Sequence, residues 1–110
     1  MFRAGASGVI NFAIGAGTNS AWSELTTSSV LNTGTWYHVA ATYDGSKMKV
    51  YLDGLLIDSL SSTITVGGSS STPLTIGYHP TYTGRVWNGK RDEFRVWDKA
   101  LTQSEITANM

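Results

Sequence analysis

Aromatic rings beside polar groups are the first residues in this chain that could bind a ligand. Tyr78, His79, Tyr82 and Arg85 fall in one loop-rich stretch that also holds proline and glycine. An exposed ring offers a large contact area at a small entropic cost, which suits carbohydrates and other planar ligands. The stretch therefore predicts a ligand-binding loop centred on Tyr82.

A second group of this kind is formed by Trp22 and Glu24. Residues two apart on a strand share a face, so this ring and carboxylate would make a small binding platform. Two interpretations stay open for both Trp22 and Tyr82, because an aromatic side chain serves packing as readily as binding.

The carboxylates and histidines give little support to catalysis. A glycosidase needs two carboxylates aimed into one cleft, whereas the adjacent Asp92 and Glu93 would point to opposite faces of a strand. Glu24 has no acidic neighbour in the sequence, and neither His38 nor His79 accompanies a nucleophile motif. We therefore expect a protein that is not an enzyme.

Residues 35–60 form the element around which the rest is organised. Two Asp-Gly pairs, Asp44-Gly45 and Asp53-Gly54, divide this stretch into three segments of strand character. Asp-Gly supplies the positive φ angles that tight hairpin turns require. The stretch predicts three consecutive antiparallel strands.

A two-residue loop at Asp53-Gly54 would also fix the register of the second hairpin. The expected cross-strand pairs are Leu52–Leu55, Tyr51–Leu56, Val50–Ile57 and Lys49–Asp58. Alternation then places five apolar residues on one face: Met48, Val50, Leu52, Leu55 and Ile57. Lys49 and Asp58 would form an ion pair on the other face.

The flanking segments read as further strands and one helical turn. Alternating apolar residues predict a strand over 9–14 and another over 21–27, followed by a connection whose Val30-Leu31 turns inward. Residues 61–72 are either a long loop or a weak strand between loops. We expect a short strand at 74–78, one or two strands within 85–97, and a helical turn over 102–109 that starts with the capping box Thr102-Gln-Ser-Glu105.

Composition limits the function classes. The chain of 110 residues is predicted to be a single domain spanning 1–110. Eight basic and eight acidic side chains cancel, which gives no indication of nucleic-acid or anionic-membrane binding. The chain has no cysteine, and it shows neither a signal peptide nor an apolar run able to cross a bilayer.

Two ordered blocks of sequence resemble a known family. Trp36-Tyr37-His38-Val39-Ala40, Tyr43-Asp44-Gly45 and 50–54 are similar to the central block of laminin-G-like domains, and residues 89–106 are similar to the closing block. The resemblance runs from Gly8 to the C-terminus. It implies an all-β antiparallel sandwich, a concanavalin A-like jelly roll truncated at its N-terminus, with a short C-terminal helical turn.

The resemblance also carries expectations about individual residues. Family members often bind calcium, and Asp92 stands where the family carries an aspartate in its closing strand, which suggests Asp92 as a calcium ligand. The alternative is that Arg91 pairs with Asp92 or Glu93 and replaces the cation. The family blocks also place three tryptophans in packed strands: Trp36, Trp87 and Trp97.

These observations favour a non-catalytic recognition module, most simply one that binds a glycan, with a protein surface as the next choice. The resemblance implies an extracellular or cell-surface location. The alternative is a structural or assembly sandwich that associates through open sheet edges. Because residues 9–14 contain neither charge nor proline and the family's first strands are lacking, we expect this strand to be an open edge and the protein to form a homodimer or higher oligomer.

Overall fold

A computed structural model describes residues 1–17, 21–67 and 74–110, in which six strands form two antiparallel sheets. The first sheet has the order β1-β2-β3, with β1 at Phe2–Ala4, β2 at Ile10–Gly15 and β3 at Trp22–Thr26. The second has the order β4-β5-β6, with β4 at Val39–Tyr43, β5 at Lys47–Leu52 and β6 at Leu55–Ser61. One helix, α1, spans Gln103–Ala108.

The main core lies between the two sheets. Ile10 and Leu25 from the first sheet meet Met48 and Val50 from the second, and all four are buried. Phe12 and Ile14 pack around them as the alternation predicts, and Val30 and Leu31 join them from the connection after β3, as expected. This arrangement confirms the predicted all-β sandwich.

One polar contact joins the two sheets, and others tie the segment after β6 to β4. The Ser23 and Ser62 hydroxyl oxygens lie 2.8 Å apart, and the Tyr43 hydroxyl donates to the carbonyls of Ser62 and Ile64. Since Ser62 is buried, these bonds satisfy groups that would otherwise be costly to bury.

The outer face of the second sheet carries a smaller core against α1. Tyr51, next to Val50 on β5, points to this face and is buried with Leu101 and Ile106. The capping box is present, because the Thr102 hydroxyl accepts from the Glu105 amide while the Glu105 carboxylate accepts from the Thr102 amide. The predicted helical turn is therefore confirmed.

The Asp53-Gly54 turn has the predicted geometry, with φ of 50° and 81° at its two residues, and it pairs Leu52 with Leu55. Beyond the pair Tyr51–Leu56 a β-bulge shifts the register, so that Val50 faces Asp58. The predicted pairs Val50–Ile57 and Lys49–Asp58 are wrong for this reason. The extra residue bends β6 there, and Ile57 still reaches the core.

The first hairpin of this sheet turns through Asp44, Gly45 and Ser46, one residue more than a two-residue loop. Gly45 has the expected positive φ, at 92°. One carboxylate oxygen of Asp44 accepts from the amides of Ser46 and Lys47, at 2.9 and 2.8 Å. These bonds, with a further one from the Ser46 hydroxyl, lower the pKa of Asp44 from 3.8 to about 2.

The prediction that residues 9–14 form an open edge is wrong, because β1 pairs with β2 along that side. Phe2 faces Phe12, and their rings meet edge to face at 6.1 Å. The small residues that follow, Ala4, Gly5 and Ala6, allow this short strand to fold back. The edges of the first sheet are consequently β1 and β3.

The predicted strands at 74–78 and 85–97 are also wrong for the described residues, which show only the single bridge between Tyr78 and Val86 in this region. A strand needs a partner along its length, and none of the six strands pairs with this part of the chain. Val66 and its neighbours after β6 are not in a strand, and residues 68–72 lie outside the described part. The three tryptophans expected to pack are exposed: Trp36, Trp87 and Trp97.

Candidate ligand-binding site

A small hairpin-like turn over residues 77–87 positions the predicted ring cluster. The His79 amide donates to the Arg85 carbonyl at 3.0 Å, and the Trp87 amide donates to the Gly77 carbonyl at 2.7 Å. The chain reverses through residues 80–84, where Gly84 has a φ of 85°. We call this segment the 77–87 hairpin.

The Tyr82 ring lies at the tip of the hairpin and contacts two neighbours. Its centroid is 4.7 Å from that of the His79 ring, and the Arg85 guanidinium carbon lies 4.2 Å above it. A guanidinium at this distance is attracted by the face of the ring. The Tyr82 side chain is thereby held in place while the residue stays 54% exposed.

His79 is oriented by the backbone that follows it. Its Nδ1 accepts hydrogen bonds from the amides of Thr81 and Tyr82, at 3.1 and 3.2 Å. A nitrogen that accepts cannot carry the proton, so the neutral ring has its N–H at Nε2. The cluster therefore offers three donor groups: the Tyr82 hydroxyl, the His79 Nε2–H and the Arg85 guanidinium.

Tyr78 was predicted to join this cluster, but it takes a different position. It precedes His79 directly and pairs with Val86, so alternation puts its side chain on the opposite face of the hairpin. The structure therefore brings together His79, Tyr82 and Arg85 and separates Tyr78 from them.

The base of the hairpin holds two residues that the sequence analysis did not assign to a site. The Arg91 guanidinium carbon lies 5.9 Å from the centre of the Trp87 ring. The same guanidinium lies over Gly77, where a Cβ would come within 2.4 Å of it. The available signal was Gly77 itself, a glycine with a φ of 96° in a stretch that otherwise alternates like a strand.

Trp22 and Glu24 lie apart from the hairpin, on β3. Trp22 is 61% exposed, and the Glu24 carboxylate accepts from the Asn11 amide at 3.3 Å and the Thr26 hydroxyl at 3.1 Å. In the described part of the chain no hydrogen bond or ring contact joins them to the 77–87 hairpin. They form a separate exposed ring beside an already engaged carboxylate.

Asp92 lines a cleft of about 390 Å³ together with Ile76, Arg91, Glu93 and other residues. Its Oδ1 accepts from the Glu93 amide at 2.8 Å, and Glu93 pairs with Arg95 at 2.7 Å. The described residues contain no cluster of three acidic, histidine or cysteine side chains that could hold a metal. A calcium ion at Asp92 would therefore take its other oxygen ligands from carbonyls or water.

The six strands form a two-layer antiparallel sandwich, and an exposed cluster of rings and donors lies on the 77–87 hairpin. The chain belongs to the laminin G-like family of the concanavalin A-like lectin/glucanases superfamily, whose model matches residues 1–107. Domains of this family are generally non-catalytic binding modules, which agrees with the expectation drawn from the carboxylates.

Curated relatives match part of the chain. Pappalysin-1 from mouse is 38% identical over 82 residues, which is 70% of this chain and 5% of that protein. Human adhesion G-protein coupled receptor D1 is 35% identical over 74 residues, or 64% of this chain and 8% of the receptor. The chain thus corresponds to a small part of each of these relatives.

A solved structure has the same fold. The crystal structure of residues 221–444 of an S-layer domain-containing protein from Clostridium thermocellum superposes with a TM-score of 0.59 at 25% identity. The match covers 92% of this chain and 51% of that one. The names of the S-layer domain-containing protein and of the adhesion receptor denote cell-surface proteins.

In the described residues, no helix has the length and apolar character to cross a membrane.

Proposed function

We propose that this domain binds carbohydrate through the tip of the 77–87 hairpin. The observation that carries the proposal is the Tyr82 ring, which is exposed yet in contact with both His79 and Arg85. A ring fixed in this way loses little freedom on binding, so more of the contact energy remains as affinity. The surrounding donors match the hydroxyl oxygens of a sugar.

The relatives support an extracellular or cell-surface setting for this activity. Two of the matched proteins carry names of surface proteins, and domains of this family recur within much longer chains. We infer that the domain recognises a glycan, or next a protein surface, outside the cell. We assign none of the activities of those longer proteins to this domain.

Glycan-array binding of the purified chain tests this proposal directly. Tyr82→Ala should weaken binding to the selected glycan with little change in melting temperature, since the side chain is not part of either core. Trp36→Ala is a matched control because Trp36 is an exposed ring, at 65%, outside the hairpin. Equal glycan affinity of Tyr82→Ala and the parent protein would remove the hairpin tip as the site.

A second candidate function is self-assembly, and β6 is the observation that favours it. This seven-residue strand is an edge of its sheet, and Leu55, Leu56 and Leu60 are exposed on it. Edge strands with few charged residues readily pair with another chain, and β6 carries one charged residue, Asp58, among its seven. A homodimer or higher oligomer would cover this edge.

Light scattering at micromolar concentration distinguishes a dimer from a monomer. Leu55→Lys should dissociate the assembly without unfolding it, because Leu55 is exposed. Val66→Lys places the same charge at another exposed apolar residue outside β6 and serves as the control. A parent protein that is monomeric at these concentrations would exclude assembly through β6.

A further inference from the structure

A groove on the outer face of the second sheet lies apart from the hairpin site. It is bounded by residues 100–103, just ahead of α1, and by side chains of β4, β5 and β6, and its volume is about 340 Å³. Small-molecule sites in proteins have volumes of about 300–1,000 Å³. None of the residues that line it belongs to the 77–87 hairpin. We call it the outer groove.

Tyr51 brings a buried hydroxyl group to the outer groove. The residue is 3% exposed and packs in the smaller core, yet its side chain also lines the groove. The hydroxyls of Tyr37 and Tyr43 have hydrogen-bond partners within the described residues, whereas that of Tyr51 has none there. A buried tyrosine usually has a partner for its hydroxyl. This hydroxyl is therefore available to a ligand that enters the groove.

Asp44 and Lys49 place opposite charges on the same groove. Lys49 is opposite Thr42 in the register of β4 and β5, so Asp44, two residues after Thr42, is its diagonal neighbour. Diagonal neighbours on one face of a sheet are roughly 7–8 Å apart. Neither residue belongs to an ion pair within the described part of the chain. A ligand with both charges could bridge the space between them.

The Asp44 carboxylate keeps one oxygen for such a ligand. Its Oδ1 accepts from the amides of Ser46 and Lys47 and from the Ser46 hydroxyl, whereas Oδ2 accepts no hydrogen bond from the described residues. Those bonds are the main cause of the lowered pKa of Asp44, and the charge of Lys49 is a minor one. The carboxylate is therefore charged at neutral pH and already held in position by its turn.

One side of the outer groove is apolar. Leu56 is paired with Tyr51 across the strands and is 46% exposed, and Ala100 and Leu101 lie on the same groove. A ligand that covers Leu56 removes apolar surface from water, which favours binding. The groove thus combines an apolar side with one anion, one cation and one free hydroxyl.

From these contacts we infer that the outer groove binds a zwitterionic ligand, in which an ammonium and a carboxylate group lie beside an apolar group. An apolar α-amino acid is the simplest such molecule. Its ammonium donates to Asp44, its carboxylate binds Lys49 and accepts from the Tyr51 hydroxyl, and its side chain contacts Leu56. A ligand with only one of the two charges would be repelled by the residue of like charge. This site is separate from the carbohydrate site proposed at the hairpin tip.

Isothermal titration of the whole chain with leucine and matched analogues provides the test. Leucinamide keeps the ammonium but lacks the carboxylate, and N-acetyl-leucine keeps the carboxylate but lacks the ammonium. Leucine should bind at least about tenfold more tightly than either analogue, because each analogue loses one charge-assisted contact. Glycine has both charges and no side chain, so it should bind more weakly than leucine.

Single substitutions locate the site. Tyr51→Phe removes only the hydroxyl and Lys49→Met removes only the ammonium while keeping a stem of similar length, and each should weaken leucine binding by about tenfold. Lys47→Met is the matched control, because Lys47 lies on the same strand and face but does not line the groove. It should leave the affinity within about twofold. Circular dichroism of each variant verifies that the fold is retained.

The outcomes decide the inference without reference to the hairpin. Leucine bound no more tightly than both analogues would overturn the zwitterionic ligand, and the absence of binding by all four compounds would overturn the site. Unchanged leucine affinity in Tyr51→Phe or Lys49→Met, or an equal loss in Lys47→Met, would also overturn it. Glycan affinity that is unchanged in Tyr51→Phe would support two separate sites, whereas its loss would contradict their independence.

Discussion

Val50→Ala is the most direct test of how the two sheets pack. Val50 has 0% exposure at the centre of β5, with the core cluster on one side. Removing two methyl groups loses about 1.6 kcal/mol of transfer free energy at about 0.8 kcal/mol each. If about 40 Å³ stays empty, the cavity adds roughly 1 kcal/mol at about 24 cal/mol per Å³. The expected loss in the free energy of unfolding is therefore about 2.5 kcal/mol.

Lys49→Ala is the matched control, because Lys49 is adjacent on β5, points to the other face and is partly exposed. It should cost less than about 0.5 kcal/mol, as surface substitutions do. Urea unfolding should be followed by far-ultraviolet circular dichroism, since the four tryptophans are exposed and would report unfolding poorly by fluorescence. Equal losses at Val50 and Lys49 would refute the assignment of the buried face.

Three further predictions follow from the turns and the cleft. Gly54→Ala should lower the free energy of unfolding by more than about 1 kcal/mol, and by more than Gly45→Ala does in the same urea assay. Both glycines have a positive φ, but a Cβ at position 54 would lie 2.9 Å from the Thr107 hydroxyl oxygen, whereas a Cβ at position 45 would meet nothing within 4 Å. Because the pKa of Asp44 is lowered to about 2, the ionised carboxylate stabilises the fold above about pH 4, and this stabilisation is lost as pH falls to 2. Asp44→Asn should therefore have a lower free energy of unfolding than the parent at pH 5, and the difference should shrink by pH 2.5. A difference that stays constant with pH would contradict this prediction. Calcium binding at Asp92 stays a prediction: titration calorimetry should show heat in the parent and none in Asp92→Asn, and no heat in the parent would exclude the site.

The parts of the fold that could be predicted from the sequence depend on local chemistry. Asp53-Gly54 supplies the positive φ angles of its two-residue turn, and Thr102 with Glu105 starts a helix by bonding its own backbone amides. The alternation of Ile10, Phe12 and Ile14 likewise showed which side of β2 faces the main core. Such signals need no knowledge of distant residues.

The parts that could not be predicted depend on residues far apart in the chain. The bulge beside Val50 leaves Ile57 in the core, so the apolar pattern is compatible with either register. The pairing of β1 with β2 rests on three residues and one ring contact, too short a segment to show periodicity. Trp87 and Trp97 have the spacing of strand residues, but a strand forms only where a partner supplies hydrogen bonds.

In the candidate site, too, some contacts could be predicted from the sequence and others could not. His79, Tyr82 and Arg85 are close in sequence, and a proline and a glycine between them predict the turn that brings their side chains together. Arg91 reaches the same face only because Gly77 lacks a side chain, a relation between residues in different segments. Trp22 and Glu24 share a strand face as expected, which by itself does not join them to the hairpin.

The burial of β5 on both faces determines the order in which the backbone opens. Its backbone hydrogen-bonds to β4 and β6, while Val50 is part of the main core on one face and Tyr51 is part of the smaller core on the other. Local fluctuations that release α1 or an edge strand leave the hydrogen bonds of β5 to the remaining neighbour intact. Deuterium should therefore enter β5 only when the whole domain unfolds, so its slowest amides report the global free energy of unfolding, whereas exchange at β1 and at the end of α1 reports local opening.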